Sequence, residues 1–199
     1  NFLAFLGWNP GGEKEVMTPE EIIDSFDINK IQKSGAQFNE EKLDWFNKEH
    51  IKLLSPEEVE KNILKHLPEN LQNHKLVPLI LERISKWSDV EKIAGELEFF
   101  TTGPQIEKQK LVYKNIPPEK ISQNLKLAIK ALDETNEKDF TKENIKNALM
   151  KIADSLESRG ELLHPVRYAL SGLDKSPDPF VISEILGKNE TIARLQKAA

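Results

Sequence analysis

The side chains of this sequence that could carry out chemistry are few and widely separated. The four histidines, His50, His66, His74 and His164, are scattered. None forms the H-E-x-x-H pair that sets two imidazoles on one helix face for zinc. His66 and His74 stand eight residues apart across Pro68, too far for an i, i+4 metal pair. There is no cysteine, which excludes a thiolate metal site, a thiol nucleophile and a disulfide framework. The paired carboxylates Glu20-Glu21, Glu40-Glu41 and Glu57-Glu58 read as first-turn charges favoured by a helix dipole, not as an acid/base couple. Ser34-Gly35 and Ser171-Gly172 have no neighbouring base from which a triad can be argued, and Gly11-Gly12 is an isolated turn, not a phosphate loop. Catalysis and metal binding therefore find no support. Composition and spacing alone lead to a soluble helical binding module.

The elements that must position any binding residues are helices. Thr18-Pro19-Glu20-Glu21 places a hydroxyl at the N-cap, Pro at the first helical position and Glu three residues after the cap. Ser55-Pro56-Glu57-Glu58 repeats the device. In each, the hydroxyl accepts from a free backbone N–H while the Glu reaches back. Ser88 with Glu91 reads as a third such box, and Asp178-Pro179 as a simpler cap. Ile121, Leu125, Ala128, Ile129 and Leu132 fall on one helical face. Ile145, Ala148, Leu149, Ile152, Ala153 and Leu156 form the strongest apolar stripe. Gly160, Gly172 and Gly187 stand where these helices should stop as left-handed C-caps. No run alternates in the strand manner between turn signals, so the fold class is all-α. Breakers at Leu54-Ser55-Pro56, Thr101–Pro104 and Asn115–Pro118 suggest borders, and the division they support is 1–54, 55–115 and 116–199.

The chain has 199 residues, with 28 Lys+Arg against 33 Asp+Glu and a net charge of −5. A simple nucleic-acid domain is usually basic. The imbalance is local, however: residues 1–50 hold ten acidic and five basic side chains, whereas 51–115 hold ten of each and 116–199 thirteen of each. Apolar stretches such as Leu76 to Leu81 are short of a membrane span. The start at Asn1, running directly into Phe2-Leu3-Ala4-Phe5-Leu6, lacks an initiating Met and a basic leader, and reads as a fragment.

Two stretches are recognisable as words. The first is Asn1-Phe2-Leu3-Ala4-Phe5-Leu6-Gly7-Trp8, followed by the Glu-rich helix from Thr18 to Phe26 and by Ser34-Gly35-Ala36-Gln37-Phe38-Asn39-Glu40-Glu41-Lys42-Leu43-Asp44-Trp45-Phe46-Asn47-Lys48-Glu49-His50-Ile51. The second is Pro165-Val166-Arg167-Tyr168-Ala169-Leu170-Ser171-Gly172, then Pro177, then Leu186-Gly187-Lys188, closed by Ile192-Ala193-Arg194-Leu195. In this order and at about this distance they resemble the region of bacterial and organellar glutamyl-tRNA synthetases that follows the ATP-binding lysine loop. The departures are mild: His50 stands where Tyr is usual, and Lys48-Glu49 replaces a pair that commonly contains Gly. Residues 55–140 match in helical character more than in words.

The resemblance implies a class I aminoacyl-tRNA synthetase, of which this chain holds residues 1–54 as the end of the stem-contact region. Residues 55–115 and 116–199 would be two helical anticodon-binding subdomains. The implied partner is tRNA(Glu), with no DNA and no membrane, in a cytoplasmic and monomeric parent. Neither the HIGH-type nor the KMSKS-type signature is present. The fragment should therefore hold no cofactor and activate nothing, ATP and Mg belonging to the parent glutamate–tRNA ligase. Binding RNA needs cations for phosphates and aromatic or Arg planes for unstacked bases. The implied contacts are Lys33, Ser34, Lys42, Trp45, Asn47 and Lys48 around the first motif, Arg83 and Lys86 in the middle, and Arg167 in the second. Lys42 and Trp45, three apart, share one face of a helix. Arg83 is the lone arginine before Arg159, and falls where some family members carry an arginine that reads the last anticodon base. For Trp45 the competing reading is core packing; for the lysines, solvated surface; for Arg167, a tie to Glu161 or Asp174. Two other readings of the whole compete: a helical protein–protein interaction module, and the same region of a synthetase that charges both tRNA(Glu) and tRNA(Gln).

Overall fold

The computed structural model describes residues 1–33, 35 and 37–199. Among them the only extended pairing is one antiparallel bridge between Trp8 and Ile31, and everything else regular is helical. The chain forms two compact units, Asn1–Gly95 and Glu96–Ala199.

In the first unit, α1 (Phe2–Gly7), α2 (Pro19–Ser25), α3 (Glu40–Lys52), α4 (Pro56–His66) and α5 (Val77–Leu81) precede α6 (Asp89–Glu96), which closes the unit. The two capping boxes form as their sequences require. The Thr18 hydroxyl accepts from the Glu21 amide while the Glu21 carboxylate takes the Thr18 amide at 3.0 Å, and Ser55 and Glu58 do the same. At the third site the capping carboxylate is Asp89 instead of Glu91. It accepts from the amides of Ser85 at 3.0 Å and Lys86 at 3.1 Å. The short α1 is anchored by Asn1, whose side chain donates to the Glu15 carbonyl and accepts from the Met17 amide. It turns Phe2 inward, and Trp8 beyond it is also buried.

The second unit contains α7 (Phe99–Thr102), α8 (Pro118–Asp133), α9 (Lys142–Ala153), α10 (Gly160–Ser171), α11 (Pro179–Leu186) and α12 (Lys188–Ala198). Helix α10 touches α8, α9, α11 and α12 and buries Leu162, Val166, Ala169 and Leu170. It carries Pro165 in its interior. A proline has no N–H to give the carbonyl four residues back, and that carbonyl, on Glu161, is taken by the buried side-chain amide of Asn124 at 3.1 Å. Arg194 of α12 is buried as well. Its guanidinium donates to the carbonyls of Phe99 at 2.7 Å and Leu170 at 2.9 Å, and to the Glu190 carboxylate at 2.7 Å.

Three sequence expectations need correction. Gly160 does not end a helix but opens α10; a Cβ there would clash with the Tyr113 ring, so close approach of the ring requires glycine. Gly172 is the expected left-handed C-cap, with φ 69° and ψ 9°; Gly187 also ends its helix at a positive φ, 79°, but its ψ of 168° is extended and leads directly from α11 into α12. The α9 stripe centres on Ile145, Leu149 and Ala153, which are fully buried. Ile152 is only half-buried and Leu156 lies beyond the helix end.

Candidate nucleic-acid interface

Most of the residues singled out from sequence lie in the first unit, on α3 and on the turn that enters α6. Helix α3 starts where the Asn39 side chain accepts from the Lys42 amide at 3.0 Å. The Lys42 ammonium donates to the Glu15 carboxylate at 2.7 Å and sits 4.4 Å from the Trp45 ring centroid. The i, i+3 pairing of a cation with an aromatic face is therefore formed. Trp45 packs edge-on against the buried Phe46, with centroids 5.0 Å apart, yet remains 38% exposed. It is therefore a partly exposed ring at the surface of α3, not a core residue.

Asp44 and Lys48, four residues apart on α3, face the chain between α5 and α6. Lys48 donates to the Glu82 carbonyl at 3.4 Å, and Lys86 donates to the Asp44 carboxylate at 2.7 Å. That hydrogen bond holds the Lys86 ammonium above its ordinary pKa. Burial opposes ionisation of Asp89, but the Ser85 and Lys86 amides it caps prevail and lower its pKa, so this carboxylate fixes the turn in its charged form. The result is that Lys42, Trp45 and Lys48 on α3 and Arg83 and Lys86 on the turn are placed on two elements stapled to each other. Arg83 is exposed, and Asn47 is half-buried on α3. Beside Lys48 an apolar groove of about 690 Å³ runs between α3, α4 and α5, lined by Ile51, Leu54, Val59, Val77 and Leu81.

Lys33 is exposed, and Ser34 lies outside the described residues. Arg167 belongs to the second unit. Its guanidinium donates to the carbonyls of Leu173 at 3.2 Å and Asp174 at 2.9 Å and to the Ser176 hydroxyl at 3.0 Å. It thus closes the turn after α10 through backbone oxygens, while the Glu161 carboxylate is engaged by Lys120 at 2.8 Å. Sequence reasoning passed over Glu15, Asp44 and Asp89, the counter-charges that set the cations in place. They are 27, 42 and four or fewer residues from their partners; only the last is within reach of a local signal. Among the described residues no group of three or more His, Asp and Glu can hold a metal ion. None of the described helices is long and apolar enough to cross a membrane.

Comparison with known proteins gives consistent matches. The family described as an anticodon binding domain matches residues 37–199. A glutamate–tRNA ligase of Clostridium botulinum (strain Hall) is 33% identical over 98% of this chain and 41% of its own length. That of Phocaeicola vulgatus is 34% identical over 100% of this chain and 39% of its own length. Among solved structures, a glutamate tRNA ligase from Elizabethkingia meningosepticum in complex with its amino acid superposes with a TM-score of 0.81 at 32% identity, covering 98% of this chain and 39% of that one. The glutamate-tRNA synthetase of Elizabethkingia anophelis gives 0.73 at 30% identity. The chain spans about two fifths of the length of the relatives it matches.

Proposed function

The chain belongs to the anticodon-binding domain family, and from that premise we propose that it is the tRNA-binding C-terminal part of a glutamate–tRNA ligase. It recognises the anticodon arm of tRNA(Glu) so that a catalytic domain outside this sequence attaches glutamate with ATP and Mg. The observation that carries the reading is the family match over residues 37–199, which begins just ahead of the helix bearing the Lys42–Trp45 pair. In this reading Lys33, Lys42, Lys48 and Lys86 approach phosphates, Trp45 offers a face to an unstacked base, and Arg83 reads a base edge beside the apolar groove. Ser34 and Asn47 add neutral hydrogen bonds. Arg167 has its donors on the 173–176 turn, so its part is to hold the shape of the C-terminal unit. The partner is RNA, not DNA or a membrane, in a cytoplasmic, monomeric parent, with residues 1–54 as the end of the stem-contact region and 55–115 and 116–199 as anticodon-binding subdomains.

Titration of the 199-residue chain with tRNA(Glu) over a series of salt concentrations tests this. Phosphate contacts release counterions, so log affinity should fall linearly with log salt. Binding that is absent, or indifferent to salt, overturns the reading. The same protein should show no glutamate-dependent ATP–pyrophosphate exchange, and detectable exchange would contradict the assignment of activation to a domain outside it.

A further inference from the structure

Two lysines of the first unit each meet a carboxylate from a distant part of the chain. The Lys42 ammonium donates to Glu15, 27 residues away, and the Lys86 ammonium to Asp44, 42 residues away, both at 2.7 Å. Neither acid is a neighbour on the same helical turn, as Glu49 is of Lys52 at i, i+3. Both are anchored: the Glu15 carbonyl is taken by the Asn1 side chain at 3.0 Å, and Asp44 is fixed within α3. The Asp44 hydrogen bond does most to keep Lys86 charged, and the nearby Asp89 and Glu40 carboxylates add to it. The four side chains of the two pairs are between 39% and 44% exposed, so an anion in solution can reach either ammonium. Residues 1–95 carry 17 acidic and 12 basic side chains. With Lys42 and Lys86 neutralised in this way, the unit has no excess of positive charge at either position.

We propose that Glu15 and Asp44 are built-in competitors of phosphate, which occupy Lys42 and Lys86 in the free protein and have to be displaced by an RNA backbone. The inference rests on the reading of these lysines as RNA contacts, and it gives the two acids a part in specificity. A carboxylate and a phosphate oxygen offer an ammonium the same kind of charge-assisted hydrogen bond, so each can replace the other. An exposed ion pair is weak enough to exchange. Binding that any RNA sequence shares is almost wholly phosphate electrostatics, whereas sequence is read at base edges. Cancelling the lysine charges therefore removes affinity that every RNA would enjoy and leaves base contacts untouched. The opposite role, in which the acids aim the lysines at RNA, predicts weaker binding when they are removed. The two roles differ in sign.

Fluorescence anisotropy measures that sign, with labelled oligouridylate and labelled tRNA(Glu) titrated by the whole 199-residue chain at low salt. Glu15→Gln and Asp44→Asn should each tighten oligouridylate about two- to fivefold, the order of one exposed ion pair. Helical circular dichroism and an unchanged melting temperature establish that each variant is folded. Glu20→Gln and Glu57→Gln remove the same charge from exposed first-turn positions outside these pairs, and should alter the affinity less. The gain must also pass through the partner lysine. In a Lys42→Met background Glu15→Gln should do no more than the control substitutions, and the same holds for Asp44→Asn in Lys86→Met. The inference is overturned if the acid variants weaken RNA, if they match the controls, or if their gain survives loss of the lysine. Should tRNA(Glu) bind more tightly than oligouridylate while the acid variants match the controls, the competitor inference fails and the tRNA reading stands. Should tRNA(Glu) bind no better than oligouridylate while the variants gain through their lysines, the competitor inference stands and the tRNA reading fails. Absence of RNA binding in every form, the double Glu15→Gln, Asp44→Asn variant included, overturns both.

Discussion

Lys42 and Lys86, two of the cations proposed to meet RNA, are already committed to carboxylates. Lys42 and Lys86 are each held by a carboxylate at 2.7 Å, so a phosphate approaching either must compete with Glu15 or Asp44. Arg83 is the candidate base reader, since a guanidinium fork distinguishes base edges where an ammonium does not. In a full-length parent, Arg83→Gln should shift the ratio of kcat/KM between tRNAs ending their anticodon in C and in G by about 1–3 kcal/mol. Lys86→Ala should weaken both tRNAs alike. An unchanged ratio in Arg83→Gln removes it from base reading. A second residue-scale expectation concerns Glu161, whose side chain is 2% exposed and whose pKa is lowered, first by its hydrogen bond to Lys120. A depressed carboxylate contributes stability above its unfolded value of 4.5, and this is lost as pH falls through the folded value. Acid unfolding below about pH 4.5 should therefore flatten in Glu161→Gln compared with the wild type, followed by circular dichroism. Parallel acid profiles would show that the ion pair does not contribute.

Helices here are decided by caps and stripes that can be read locally, but their burial depends on what lies opposite. Helix α9 illustrates this. Its period of apolar residues is legible in the sequence, yet the buried line runs through Leu149 and Ala153, and Ile152 faces its edge. Leu149→Ala should cost about 2–5 kcal/mol, Ile152→Ala distinctly less, and exposed Lys151→Ala within about 0.5 kcal/mol. Thermal melts giving any other order would mean the helix is rotated. At the start of α10 the expectation is a coupling. Gly160→Ala alone should destabilise, because the new methyl meets the Tyr113 ring. In a Tyr113→Ala background the same change should be neutral or stabilising, as alanine is the better helix residue. Equal effects in the two backgrounds, a zero in the double-mutant cycle, would deny the contact.

At the scale of the molecule, the charge is divided as the two units are. Residues 1–95 hold 17 acidic and 12 basic side chains, and residues 96–199 hold 16 of each. The unit with most of the proposed RNA contacts is thus the acidic one, and its cations act locally, within a Debye length of about 8–10 Å. The second unit has a core of its own, with Leu125, Leu132, Ile145, Leu149, Leu162, Leu170, Ile182 and Leu195 at zero exposure. Residues 96–199 alone should accordingly fold cooperatively with helical far-UV circular dichroism. A chain of that span lacking a sigmoidal melt would show that its core is insufficient.

Caps such as Thr18–Glu21 and Ser55–Glu58, the amphipathic stripes and the two motif words are legible because each is a pattern within a few residues. They determined the all-α class, most helix starts and the kinship of the chain. Tertiary structure alone decided that Glu15 and Asp44 meet Lys42 and Lys86, that Asn124 takes the carbonyl Pro165 cannot satisfy, and that Arg167 closes a turn. It also decided that a ring requires Gly160, and that Phe2 and Phe5 of α1 pack against Phe46 of α3. These contacts join residues far apart in the chain, and a side chain's partner across such a distance is set by packing, which no local periodicity encodes.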